Sequence, residues 1–282
     1  MKIFNIGGVP VACKIAGEGP DIVLLHGFCE DSNVWTGTVG ALVAGGFRAT
    51  VIDLPGFGQS GLLLHYSMEA MAEVVHDILE TLGVENCTLL GHSMGGYVAM
   101  AFAERWPESL NGLGLIHSHP FDDKPERKAA RIKSAEFIRK NGHHTYVAQL
   151  ITNLFPQAFA ADHPGLINGL IETARAYPSA AIVGGQEAMT ERPDRSAVLK
   201  NLTCPVLFIV GELDSAIPYD QSLLQLPLPA IASVHLLEGI GHMGMFEAPE
   251  KIHRIVLAFA NFQEEIRANN NNEQERSKRS KD

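Results

Sequence analysis

Six short runs of Val, Ile and Leu limit what this chain can fold into. They are "DIVLLHG" at 21–27, "FRATVIDL" at 47–54, "CTLLGHS" at 87–93, "LNGLGLIHS" at 110–118, "CPVLFIVGELD" at 204–214 and "SVHLLEG" at 233–239. Several are apolar almost without interruption. A strand with one wet face alternates polar and apolar residues, so an unbroken run calls for burial on both faces, as in a parallel sheet covered by helices. The intervals supply the covers. Met71, Val74, Val75, Ile78, Leu79 and Leu82 recur with the 3–4 spacing of one helical stripe, and Ile252, Ile255, Val256 and Phe259 repeat it near the end. Strands alternating with helices predict βαβ units, hence an α/β fold with a mostly parallel central sheet flanked by helices.

The alternation stops after Ser118. From 119 to 196 the chain is rich in Ala, His, Lys and Arg, keeps helical spacing, and is punctuated by Pro120, Pro125, Pro156, Pro164, Pro178 and Pro193. The expected division is a core of 1–118 and 197–262 with an inserted helical cap over 119–196, lying on the C-terminal edge of the sheet. The remaining stretch, 263–282, is polar, low in complexity and free of aromatics, and is expected to be disordered.

Charge narrows the partners. With 22 Lys and Arg against 32 Asp and Glu, the formal net charge is −10, opposite to what nucleic acid requires. No apolar run reaches the ~18 residues of a membrane span. Cys13, Cys29, Cys87 and Cys204 are scattered without CxxC spacing, so no zinc site or disulfide framework is indicated. The opening "MKIFNIGGVP" lacks a signal-peptide core, and a reduced cytoplasmic protein, monomeric or homodimeric, is the expectation.

The chemistry centres on "LLGHSMGGYVAM" at 89–100, where an apolar strand gives way to an apolar helix at Ser93. Gly91 and Gly95 keep bulk away from the turn and fit G-x-S-x-G, the pattern of a serine exposed on a strained strand-to-helix turn. Ser93 either caps the helix or acts as a nucleophile. A nucleophilic serine needs a base and an orienting carboxylate. Of twelve histidines, His242 stands apart, on a loop between the last strand and the last helix. Asp214 ends the strand "VLFIVGELD" at the same sheet edge, where α/β folds build their sites.

Taken with "HGF" at 26–28, "DLPGFGQS" at 53–60, "GELDSAIP" at 211–218 and "GIGHMG" at 239–244, the chain resembles the α/β-hydrolase family over residues 1 to about 262, with its serine-nucleophile esterase and lactonase members in view. The resemblance implies an α/β-hydrolase fold in which Ser93 is the nucleophile, His242 the base and Asp214 its orienter. It also implies an oxyanion hole from the backbone N–H groups of Phe28 and Met94, and no cofactor or metal. Position 93 is not Asp, which sets aside epoxide opening and halide displacement. Carboxylester hydrolysis through an acyl-enzyme is the first expectation. Enol-lactone or carbon–carbon bond hydrolysis, cofactor-free peroxidation and a small-molecule receptor retaining the triad are the alternatives.

Other signals are weaker. "GFGQSG" at 56–61 matches a dinucleotide fingerprint but opens no helix. His117 with His119, and His143 with His144, lack the further ligands of a zinc site. His26 and His92 read as structural. Phe28, Trp35 and His119 are candidates for the substrate pocket. Apolar residues of the insertion, including Phe137, Leu150 and Leu154, suggest a small to medium, largely apolar ester. Asp122 and Asp123 stand in reserve should Asp214 not serve as the acid.

Overall fold

In the computed structural model, which describes residues 1–279, the strands are β1 (Lys2–Ile6), β2 (Val9–Ala16), β3 (Asp21–Leu25), β4 (Arg48–Ile52), β5 (Cys87–His92), β6 (Leu110–Ile116), β7 (Val206–Gly211) and β8 (Ala232–Leu237). They form one sheet in the order β1-β2-β4-β3-β5-β6-β7-β8. All pairs from β4 to β8 are parallel, whereas β1–β2 and β2–β4 are antiparallel. The six runs of the sequence analysis are the six parallel strands. The antiparallel hairpin β1–β2 was not among them. It turns on Gly7 and Gly8, at φ 57° and 90°, a two-residue turn whose positive φ values glycine adopts without strain.

The core helices are α1 (Thr36–Ala44), α2 (Met68–Thr81), α3 (Met94–Arg105), α9 (Ser196–Asn201), α10 (Tyr219–Leu223), α11 (Gly244–Glu247) and α12 (Pro249–Arg279). In α2 the expected stripe is the buried one: Met71, Val74, Val75, Ile78 and Leu79 face the sheet. β5 and β7 are buried along their whole length, as two-sided cover requires. Register aligns Leu25 with Gly91, His92 with Ile116, and Ile116 with Ile209, so the loops after β3, β5, β6 and β7 emerge along one edge.

Five helices occupy the insertion: α4 (Pro125–Asn141), α5 (His144–Asn153), α6 (Gln157–Asp162), α7 (Pro164–Arg175) and α8 (Ser179–Glu191). α4 packs on α8 and α5 on α7. The insertion is tied to the core by Tyr177, whose hydroxyl donates to Asp31 Oδ2 at 3.1 Å, and by Arg195, which reaches Glu69 and Glu104.

The polar stretch from residue 263 departs from the expected disorder. α12 continues through it to Arg279, and Gln263 is still buried, against Gly112. No Gly or Pro follows Pro249, and Glu, Gln, Arg and Ala all favour helix. Residues 280–282 lie outside the described residues. Among the described residues, no helix is long and apolar enough to cross a membrane.

Candidate active site

The turn between β5 and α3 puts Ser93 at φ 49° and ψ −115°, a region that side chains enter only at a cost of about 1–3 kcal/mol. Close packing holds it there. A Cβ on Gly91 would lie 2.3 Å from the Gly95 carbonyl oxygen, and one on Gly95 would lie 2.6 Å from the carbonyl oxygens of Leu25 and His26. The Ser93 backbone is also pinned, its N–H donating to Ile116 O at 3.0 Å and its carbonyl accepting from the Ser118 hydroxyl at 2.8 Å. The Ser93 side chain makes no capping bond to α3, so the helix-cap alternative does not hold. Among the described residues, three non-glycine residues take positive φ: Cys29, Ser93 and His117. All three lie on the loops of this sheet edge.

The structure brings Asp214 and His242 together. His242 Nδ1 donates to Asp214 Oδ2 at 2.8 Å, with both side chains almost fully buried. The other carboxylate oxygen of Asp214 accepts from the Ala216 and Ile217 amides at 2.9 and 2.8 Å. Burial alone would raise the Asp214 pKa, but the two rings beside it, His242 by its charge and hydrogen bond and His117 by its proximity, hold it well below the usual carboxylate range. His117 Nδ1 approaches the same oxygen at 3.5 Å, yet neither of its ring nitrogens has a hydrogen-bond partner. Burial pushes its pKa down to about 4, so it stands by the acid as a neutral ring. Asp122 pairs with Lys128 and Asp123 with arginines, so neither substitutes for Asp214.

A buried pair that the sequence reading missed joins the three loops. His92 Nδ1 lies 3.0 Å from Glu30 Oε2 and its Nε2 lies 2.9 Å from the His242 carbonyl oxygen. A carbonyl only accepts, so Nε2 carries hydrogen. Glu30 Oε2 also accepts from the Gly27 amide at 2.8 Å, so the carboxylate acts as acceptor toward Nδ1 as well. The arrangement favours an imidazolium facing a carboxylate. Burial opposes charge on both, but the mutual attraction prevails, lowering the Glu30 pKa and raising that of His92. One ion pair thus fastens the Phe28 loop, the Ser93 turn and the His242 loop together. His92 is structural, as expected. The available signal for Glu30 was its place in "HGFCED", beside Asp31 on the loop that leaves β3 at the sheet edge.

Ser93 and His242 line one narrow cavity of about 50 Å³, together with Phe28. The cap contributes Leu150, Leu154 and Met189 to its walls, and also Arg127, Arg131 and Gln186. Phe28 N–H and Met94 N–H have no acceptor among the described residues, and Met94 opens α3, whose N-terminal dipole end favours an anion. Two roomier clefts lie elsewhere, about 770 Å³ between Leu64 and α8 and about 400 Å³ beside His76, but neither contains Ser93 or His242.

Two expected pocket residues do not line this cavity. Trp35 is fully buried in the core with its ring edge toward His92, where an aromatic fills space behind the site. His119 is buried behind Tyr97 and accepts at Nδ1 from the Phe121 amide at 3.1 Å. Phe137, expected to contribute apolar surface, points outward from α4 and is 43% exposed. His143 has both ring nitrogens engaged, with Ser179 Oγ and the Arg175 carbonyl, which leaves neither for a metal.

The profile of the α/β hydrolase fold matches residues 20–131. The pimeloyl-[acyl-carrier protein] methyl ester esterase of Aeromonas hydrophila is 33% identical over 258 residues, covering 88% of this chain and 98% of that protein. The chain belongs to the α/β hydrolase fold family. It is an enzyme of that family, whose similar members are named as esterases and hydrolases. One of these, the 2-hydroxy-6-oxononadienedioate/2-hydroxy-6-oxononatrienedioate hydrolase of a Pseudomonas species, is 27% identical over 256 residues, covering 86% of this chain and 89% of that one. Among solved structures, a thermophilic esterase from Thermogutta terrifontis with malate bound superposes with a TM-score of 0.86 at 30% identity, covering 90% of this chain and 94% of that one.

Proposed function

We propose that this enzyme hydrolyses a carboxylic ester through an acyl-enzyme on Ser93. The observation that carries the reading is the shared cavity: Ser93, on its strained turn, and His242, held by the ionised Asp214, open onto the same space. In this reading His242 Nε2 takes the hydroxyl proton as Ser93 Oγ attacks the ester carbonyl. The tetrahedral oxyanion is received by the amides of Phe28 and Met94. His242 then returns the proton to the departing alcohol, leaving an acyl-serine. Water, deprotonated by the same imidazole, repeats the sequence, releasing the acid and restoring the hydroxyl. Asp214 keeps the His242 proton on Nδ1 and stabilises the transient imidazolium. Each oxyanion donor is worth about 10²–10³ in rate, because it faces charge only as that charge develops.

The esterases among the relatives support an ester as substrate, and the dienedioate hydrolase puts a vinylogous diketone on the test panel. The test is multiple-turnover release of p-nitrophenol from butyrate and hexanoate esters, run beside an enol-lactone and a vinylogous diketone. Sustained ester turnover that is lost in Ser93→Ala is the expected result. A single burst that stalls after one equivalent would point to a receptor, and a preference for the diketone to carbon–carbon hydrolysis.

A further inference from the structure

The cap side of the cavity carries more positive charge than its neighbours neutralise. Arg127 and Arg131 lie one turn apart on α4 and both line the cavity that holds Ser93 and His242. Arg192 lies beneath them, over the Tyr97 ring at 3.9 Å from its centroid. All three guanidinium groups converge on a single carboxylate. Asp123 takes Arg131 at 2.6 Å and Arg192 at 2.7 Å, with Arg127 outside hydrogen-bond range at 3.6 Å. Three cations thus share one anion. The other acid lining the cavity, Glu30, is already committed to His92 and the Gly27 amide.

The donor geometry agrees. Arg131 uses Nε on Asp123 and directs Nη1 at Gln186 Oε1, a long 3.4 Å contact, while Nη2 has no partner among the described residues. The Arg127 guanidinium makes no hydrogen bond among the described residues, although its side chain is 42% exposed at the cavity wall. Its neighbours register the excess field. Burial first, and then the charge of Arg127 and Arg192, push the Arg131 pKa down, and His119 falls to about 3 from burial reinforced by Arg192. Guanidinium donors without a hydrogen-bond partner at the wall of a cavity are a receptor for a planar anion.

We infer that Arg127 and Arg131 receive an ionised carboxylate of the substrate, so that the ester cleaved at Ser93 carries a second, anionic end. This rests on the hydrolytic reading above and narrows its substrate class. The sequence reading favoured a largely apolar substrate. The cavity instead pairs an apolar stretch at Leu150, Leu154 and Met189 with a cationic rim, which suits a hemiester or a carboxylated leaving group.

The experiment compares matched esters that differ in one charge. On the acyl side the pair is monomethyl adipate and methyl hexanoate; on the alcohol side it is 4-carboxyphenyl butyrate and 4-carbamoylphenyl butyrate. The readout is the ratio of kcat/KM for the charged over the neutral member. A charge-assisted hydrogen bond leads us to expect a wild-type ratio of about tenfold or more in at least one series. It should fall toward one in Arg127→Gln and in Arg131→Gln, and recover in part in Arg131→Lys. Because Arg131 also holds Asp123, thermal melting accompanies that variant, while Arg127, held by no hydrogen bond, gives a test independent of folding. A ratio near one in both wild-type series overturns the inference, as does a ratio that survives both Gln substitutions. Calorimetric titration of glutarate, with and without Arg127→Gln, separates the two claims. If neither ester turns over, the hydrolytic reading fails, and glutarate bound no more weakly by the variant also removes the anion site.

Discussion

Replacing Asp214 by Asn tests the site by moving one proton, and the structure dictates in which direction. Asp214 Oδ1 accepts from two amides, Ala216 N–H and Ile217 N–H, while Oδ2 accepts from His242 Nδ1. An asparagine must keep its oxygen toward the two amide donors, since turning its NH₂ there would set donor against donor twice. Its NH₂ then faces His242 Nδ1 and donates to it. The ring proton is forced onto Nε2, the atom that must be bare to accept from Ser93. The shape of the site changes little, but the base arrives already protonated. Loss of the tautomer costs about 10⁴ in kcat, equivalent to about 5.4 kcal/mol of transition-state stabilisation. The assay is p-nitrophenyl butyrate hydrolysis at pH 7.5, with circular dichroism and thermal melting to establish that the variant is folded. A folded Asp214→Asn enzyme that retains kcat within tenfold of wild type would refute the reasoning, and would send the search for the orienting group to His117, 3.5 Å from the same oxygen.

Three further outcomes follow from the same contacts. Asp214, depressed in the fold, contributes stability that is present above its unfolded pKa and lost as pH falls through the folded value. Wild-type melting temperature should therefore fall below about pH 3.9 more steeply than that of Asp214→Asn, as followed by scanning calorimetry. The Glu30–His92 pair behaves as the two signs require. The raised His92 contributes fully below about pH 6.5, and that contribution is lost as pH climbs through its folded pKa, while the lowered Glu30 contributes only above about pH 4.3. The melting-temperature gap between wild type and Glu30→Gln should thus be widest between those values and shrink above pH 6.5; a gap that widens with pH would contradict the ionised pair. Gly95→Ala drives a Cβ to 2.6 Å from two backbone carbonyl oxygens and should cost about 3 kcal/mol in urea unfolding, where a loss under about 0.5 kcal/mol would mean the elbow is looser than drawn.

The sequence was most legible where burial writes a repeating pattern. The parallel strands announced themselves because two-sided cover leaves β7 with no polar residue and β5 with only Thr88 and its terminal His92. Ser93, His242 and Asp214 were legible because each is the polar residue at which such a run ends or a glycine-flanked loop begins. The β1–β2 hairpin escaped because "KIFNI" is mostly exposed and "VPVACKIA" is only partly buried and broken by Pro10 and Lys14, although Gly7-Gly8 marked the turn. Glu30 and the arginines of α4 escaped for a different reason. Their meaning lies in what they face, and a charge on a cap helix looks the same in sequence whether it meets solvent or a cavity. Trp35 and His119 show the converse: proximity to the site in the chain did not bring either to the cavity wall, because Trp35 packs behind His92 and His119 behind Tyr97. For the stretch from 263, polar, low-complexity composition does not separate helix from disorder, and its described residues continue α12.

The central claim is that the Ser93 hydroxyl is made nucleophilic by His242 at this one cavity. The most direct measurement is intact-mass and peptide mass spectrometry after exposure to a p-nitrophenyl alkylphosphonate, which transfers phosphonate to an activated serine with release of p-nitrophenol. One adduct per chain is predicted, on the peptide containing Ser93, absent in Ser93→Ala and strongly slowed in His242→Ala. A folded protein that takes no adduct, or takes it on another residue while Ser93→Ala keeps its ester turnover, would contradict the account.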